Sequence, residues 1–61
     1  MMSYKDRYMK CETIKELEDM MTADTVIALK HLRYKEAIEI EVMGRYAANE
    51  IFRRLSDVAN N

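Results

Sequence analysis

No proline occurs in this 61-residue chain, and Gly44 is its only glycine. Proline and glycine are the strongest punctuators of regular backbone, so a chain nearly without them folds into few elements joined by short turns. Helix formers (Ala, Leu, Met, Glu, Lys and Arg) fill most of the rest, and such residues lose little side-chain freedom in a helix. The expected fold is all-α, a helical hairpin or three-helix unit with a long C-terminal helix, in a single small domain over residues 1–61.

The first helical segment spans about Ser3 to Met21. Tyr4, Tyr8 and Cys11, then Ile14, Leu17, Met20 and Met21, recur every three or four residues and lay one apolar stripe along a helix. Ser3 with Asp6 is a start signal. Thr13 with Glu16 is a stronger one, because T-x-x-E is the capping box that satisfies two orphan amides. One helix or two remain open here, with the box favouring a break near Glu12. Thr22-Ala23-Asp24-Thr25 is the best turn candidate, since Thr22 or Asp24 can cap a following helix.

The second segment opens with Val26, Ile27, Leu29 and Leu32. From Gly44 onward Ala48, Ile51, Phe52, Leu55, Val58 and Ala59 fall on one face, with Arg45, Glu50, Arg53, Arg54 and Asp57 elsewhere. Glu41 to Arg45 and Glu50 to Arg54 are i,i+4 pairs with the acid first, the orientation that supports a helix. Between lies an ambiguous stretch, Glu36 to Met43. Ile38, Ile40 and Val42 alternate with Glu39 and Glu41, a period of two that suits a half-buried strand. Helix is the preferred reading of Ala37–Met43, because both flanks are helical and a lone strand needs a pairing partner. In that case Asp24 to Val58 forms one rod of about 50 Å at 1.5 Å per residue, unless it breaks near Gly44.

Size argues for assembly. A domain of about 60 residues buries only about 60% of its unfolded surface and is marginal alone. Disulfides, a metal or oligomerisation are the usual supplements. Cys11 is the single cysteine, and with one histidine a four-ligand zinc site is out of reach unless carboxylates or a second subunit supply the rest. Composition still points to order: hydrophobic residues make up 49%, charged residues 34%, and the formal net charge is -1. The helical stretch around residue 40 is apolar on more faces than one intrachain neighbour covers. A homodimer held by Ile38, Ile40, Val42, Met43, Ile51, Phe52 and Leu55 is therefore expected.

Catalytic chemistry finds little footing. Cys11 sits on an apolar stripe, where a small hydrophobe is the usual role, and His31 has no carboxylate three or four residues away. A Cys–His pair also needs an orienting group and an oxyanion hole. No enzyme activity, cofactor, metal or small-molecule substrate is expected. Lys30, Arg33, Arg53 and Arg54 are possible anion contacts, since arginine suits phosphate, yet Glu36, Glu39 and Glu41 follow Arg33 closely. The charge balance lacks the excess of Lys and Arg that marks a nucleic-acid binder. No apolar run reaches the roughly 20 residues that span a bilayer. Residues 1–10 are charged and aromatic, unlike a secretory leader, so the cytoplasm is the expected location. The six methionines and four tyrosines suit either an adaptable binding surface or core filling.

Residues 10–18, Lys10-Cys11-Glu12-Thr13-Ile14-Lys15-Glu16-Leu17-Glu18, follow Asp6 and Met9. This run resembles the start of the Hha/YmoA family, with its K/R-C-x-T-I-x-x-L-E pattern. Such a resemblance implies a small all-helical protein that modulates transcription by binding the nucleoid protein H-NS. Downstream, the family's Ala-Ala-Asp-His-Arg stretch has no counterpart, and Ala47-Ala48-Asn49-Glu50 is what the chain offers instead. The reading preferred from the residues is a non-enzymatic protein-interaction module, a regulator or inhibitor that binds itself and a larger protein stoichiometrically. A nucleic-acid-associated transcriptional modulator is the alternative.

Overall fold

The computed structural model describes residues 3–59. Met1 and Met2, part of the segment weighed as a leader, lie outside the described residues, as does the side chain of Ala59, expected on the apolar face. Among the described residues the regular structure is entirely helical: α1 (Tyr4–Met9), α2 (Ile14–Lys30) and α3 (Tyr34–Ala59).

Both early start signals operate. The Ser3 hydroxyl accepts from the Asp6 amide at 3.2 Å and caps α1. Thr13, in extended backbone, accepts from the Glu16 amide at 3.1 Å and caps α2, so the first segment is two helices. The reciprocal half of the capping box is displaced by one residue. Glu16 reaches back to the amide of Glu12, at 3.3 Å, rather than to that of Thr13.

The expected turn at Thr22–Thr25 is not a turn. These residues lie inside α2, because the Asp24 carboxylate is drawn to α1, where it pairs with Arg7 at 3.0 Å and accepts from the Tyr8 hydroxyl at 2.6 Å. A side chain so engaged is not available to cap, and packing overrides the modest helix propensity of Thr and Asp. The chain reverses instead at His31-Leu32-Arg33. The Arg33 amide donates to the Ala28 carbonyl at 2.7 Å and the Leu32 amide to that of Leu29 at 3.1 Å, the paired bonds of a Schellman motif. That motif needs one left-handed residue, normally glycine. Here it is Leu32, at φ 57°, a conformation that costs a non-glycine residue roughly 1–2 kcal/mol.

Ile38, Ile40 and Val42 are helical, which removes the strand alternative, and α3 runs through Gly44 without a break. The long rod from Asp24 is replaced by two helices folded back on each other. Gly44 has a packing reason rather than a turning one. It is buried, and a Cβ there would overlap the thioether end of Met21 on α2. The notch lets α2 and α3 approach closely, aided by buried Ala28 and Ala47. The gain that alanine would bring to a helix interior, about 1 kcal/mol, is therefore offset by the displacement of Met21.

The core consists of Tyr8, Cys11, Leu17, Ala28, Ile40, Ala47 and Ile51, with Met9, Met20, Met21 and Met43 packed against it. The described methionines thus fill the interior, where an unbranched thioether suits irregular gaps. Principal extents are 45 × 18 × 17 Å, with a radius of gyration of 12.6 Å, against about 10–11 Å for a compact globule of this length. The molecule is a short, thick rod.

Candidate functional site

Helices α2 and α3 form an antiparallel pair with two flanks, and α1 lies along one of them. There Tyr8 is fully buried, and Tyr4 stacks on it with ring centroids 6.0 Å apart. Arg7 embraces both oxygens of Asp24, at 3.0 and 3.3 Å. The Lys5 ammonium stands 5.0 Å from the centre of the Tyr46 ring, within reach of a cation–π attraction. Arg54, from the far end of α3, donates to the carbonyls of Met9 at 3.1 Å and Cys11 at 3.4 Å. A cation there satisfies orphan carbonyls at the end of α1. Burial, the hydrogen bond to Asp24 and that carboxylate's charge push the Tyr8 phenol well above its ordinary value. The Tyr4 phenol is raised as well, by burial first and then by Glu36, Asp24 and Glu39.

The opposite flank has a different character. Met21, Thr25, Ala37, Ile38 and Glu41 line a shallow, open depression along the α2–α3 seam. Helical spacing extends this face along α3 to Tyr34, Arg45, Ala48, Phe52 and Leu55. Tyr34, Ile38, Phe52 and Leu55 are each at least 55% exposed, and Leu29 on α2 is 47% exposed. Leu32, at the tip of the hairpin, is 69% exposed. Several large apolar side chains exposed along one face mark an interaction site more often than single scattered ones do.

The residues expected at a self-interface divide between interior and surface. Ile40 and Ile51 are buried within the chain, and Met43 packs against that core. Ile38, Val42, Phe52 and Leu55 are exposed. The four candidate anion contacts are not brought together. Lys30 and Arg33 stand at the hairpin end, and Arg53 and Arg54 lie about 30 Å along α3 at 1.5 Å per residue. Arg33 lies 3.5 Å from Glu36 and Arg53 lies 3.1 Å from Glu50, while Arg54 holds the end of α1.

Cys11 and His31 flank opposite ends of α2, which is about 25 Å long at the helical rise, so the fold does not pair them. Cys11 is buried, with its thiol beside the Arg7 carbonyl at 3.8 Å. Burial, and to a lesser degree Glu16, raise its pKa, while Arg7 pulls the other way. A raised thiol pKa lowers the thiolate fraction on which reactivity depends. His31 is exposed at the C-cap of α2. Among the described residues no group of three or more His, Cys, Asp or Glu side chains is placed to hold a metal ion, and no helix is long and apolar enough to cross a membrane.

The Arg7–Asp24–Tyr8 cluster is the polar feature that the sequence pattern hid. Its signal was Asp24 itself, which falls in the Leu17, Met21, Asp24, Ala28 row of α2. A carboxylate on an apolar stripe requires a partner. No protein-family model, curated protein or solved structure matches this chain. The class of protein rests on the fold alone: a small three-helix protein with one flank of its central pair covered and one open.

Proposed function

We propose that this chain is a non-enzymatic protein-interaction module that pairs with a second copy of itself and acts stoichiometrically on a larger protein as a regulator or inhibitor. The observation that carries this reading is the open flank, where Tyr34, Ile38, Phe52 and Leu55 are exposed along one helix. Burying one such side chain contributes roughly 1.5–3 kcal/mol, so a surface that displays several is one that association stabilises. The cytoplasm suits a module with one reduced, buried thiol. Nucleic-acid binding is less favoured, since the candidate basic residues are split between two ends, and Arg33 and Arg53 are matched by Glu36 and Glu50. Sedimentation at micromolar concentration tests the self-association, with an expected mass of twice the 7.3 kDa chain. A stable 7.3 kDa species would defeat it. Affinity for arbitrary duplex DNA that falls steeply with salt would instead favour the transcriptional reading.

A further inference from the structure

We infer that the second copy docks antiparallel on the open flank, so that Glu41 and Arg45 of the two copies face each other across a two-fold axis. This rests on the homodimer reading above and adds the face, the direction and the register. The starting observation is the order of side chains along the exposed stripe of α3. Tyr34 and Ile38 precede a charged pair, Glu41 and Arg45, and half-buried Ala48 and exposed Phe52 follow it. Glu41 and Arg45 are bonded at 3.1 Å, with side chains 63% and 78% exposed.

A two-fold axis perpendicular to α3 and level with Met43 turns this order onto itself. Glu41 then meets the other copy's Arg45, Ile38 meets Ala48, and Tyr34 meets Phe52. Acid faces base, a large side chain faces a small one, and ring faces ring. The axis falls where Met21 of α2 fills the notch at Gly44, so the second helix of each layer is centred on the same line. A parallel pairing of the same faces would set Glu41 against Glu41 and Arg45 against Arg45. Like charges juxtaposed in an interface are strongly disfavoured.

Area permits the arrangement. The extents of the molecule, 45 and 18 Å, bound this face at about 800 Å², and each partner of a standard stable interface contributes about that much. Closed two-fold pairing covers the same patch on both copies at once.

The test combines mass with direction. A nitroxide is placed at exposed residue 56 through Ser56→Cys in a Cys11→Ala background, and the interchain distance is read by pulsed dipolar spectroscopy. Antiparallel pairing puts the two labels about 40 Å apart, from the helical rise on both sides of the axis. A distance near 10 Å, the spacing of packed helix axes, would overturn the antiparallel inference while keeping the dimer. Because Cys11→Ala alters the core, a second arm uses the native thiol. Glu41→Arg alone and Arg45→Glu alone should each weaken self-association about tenfold through like-charge contacts, and the two changes together should restore it. Dimerisation indifferent to these substitutions would overturn the choice of face. A monomer for the unsubstituted chain would overturn the homodimer reading itself.

Discussion

The two flanks of the α2–α3 pair are built from similar residues and treated in opposite ways. Toward α1, the apolar seam is covered by Tyr8 and Tyr4, and the covering helix is fastened by charge: Arg7 to Asp24, Lys5 over Tyr46, Arg54 to the carbonyls of Met9 and Cys11. Away from α1, the exposed stripe carries Tyr34, Ile38, Phe52 and Leu55, interrupted by the Glu41–Arg45 pair. The covered flank shows how this chain solves the problem that the open flank still poses. An apolar face needs a lid, and polar fasteners set where the lid sits.

The contrast can be broken most severely at paired neighbours on α3. Ile40→Asp places an unpartnered carboxylate at a 1% exposed site. It should destabilise by more than about 4 kcal/mol, enough to unfold a domain of this size in circular dichroism. Ile38→Asp, at a 63% exposed site, should leave the helical signal intact and abolish self-association. Equal damage from both would erase the distinction between the flanks. Next comes the fastener. Asp24→Ala strands Arg7 and the Tyr8 hydroxyl, and should cost about 2–3 kcal/mol in urea titration, less than a fully buried pair because Arg7 is partly solvated. A change below about 0.5 kcal/mol would mean that Asp24 does not fasten α1.

A finer probe is alkaline pH. The Tyr8 phenol is raised above its ordinary value of 10.0 in the folded state. Its contribution is therefore complete below pH 10 and is lost as pH climbs from there through the folded value, because only the unfolded chain gives up the proton readily. Tyr8→Phe should flatten this alkaline decline in melting temperature, leaving the slope due to Tyr4 and Cys11, and a decline of unchanged steepness would refute the assignment. The smallest expected effect lies at the hairpin tip. Leu32→Gly relieves a left-handed leucine that is 69% exposed, and should stabilise by about 1 kcal/mol. Destabilisation would show that the leucine side chain supports the turn.

Helix content was legible from residue type, and the caps at Ser3 and Thr13 from their spacing to Asp6 and Glu16. The position of the main turn was not. A Schellman turn advertises itself through glycine, and this one uses Leu32, so the cluster of turn-like residues at Thr22–Thr25 drew the assignment instead. Gly44 misled in the complementary direction, since its role is to make room for Met21 across the seam, a fact that spacing along one helix does not contain. The candidate interface was half legible. Periodicity identified α3 as apolar on several faces, but which of those faces the chain covers depends on where α1 docks. That in turn depends on Asp24, Tyr8 and Arg54, pairings that cross up to 45 residues.

Helix α1 has only six residues, too few to persist on its own, where helices shorter than about 12–15 residues are marginal even in favourable sequences. Its order is borrowed from the layer beneath, so leaving that layer and melting are a single event. Such an event requires less free energy than global unfolding, and it brings the adjoining sulfhydryl at Cys11 into water. Because this is the chain's one cysteine, its alkylation rate under native conditions is a clock for the opening of α1. With Arg54→Ala, which releases the carbonyls of Met9 and Cys11, that clock should run faster while the amides of α2 and α3 exchange no sooner.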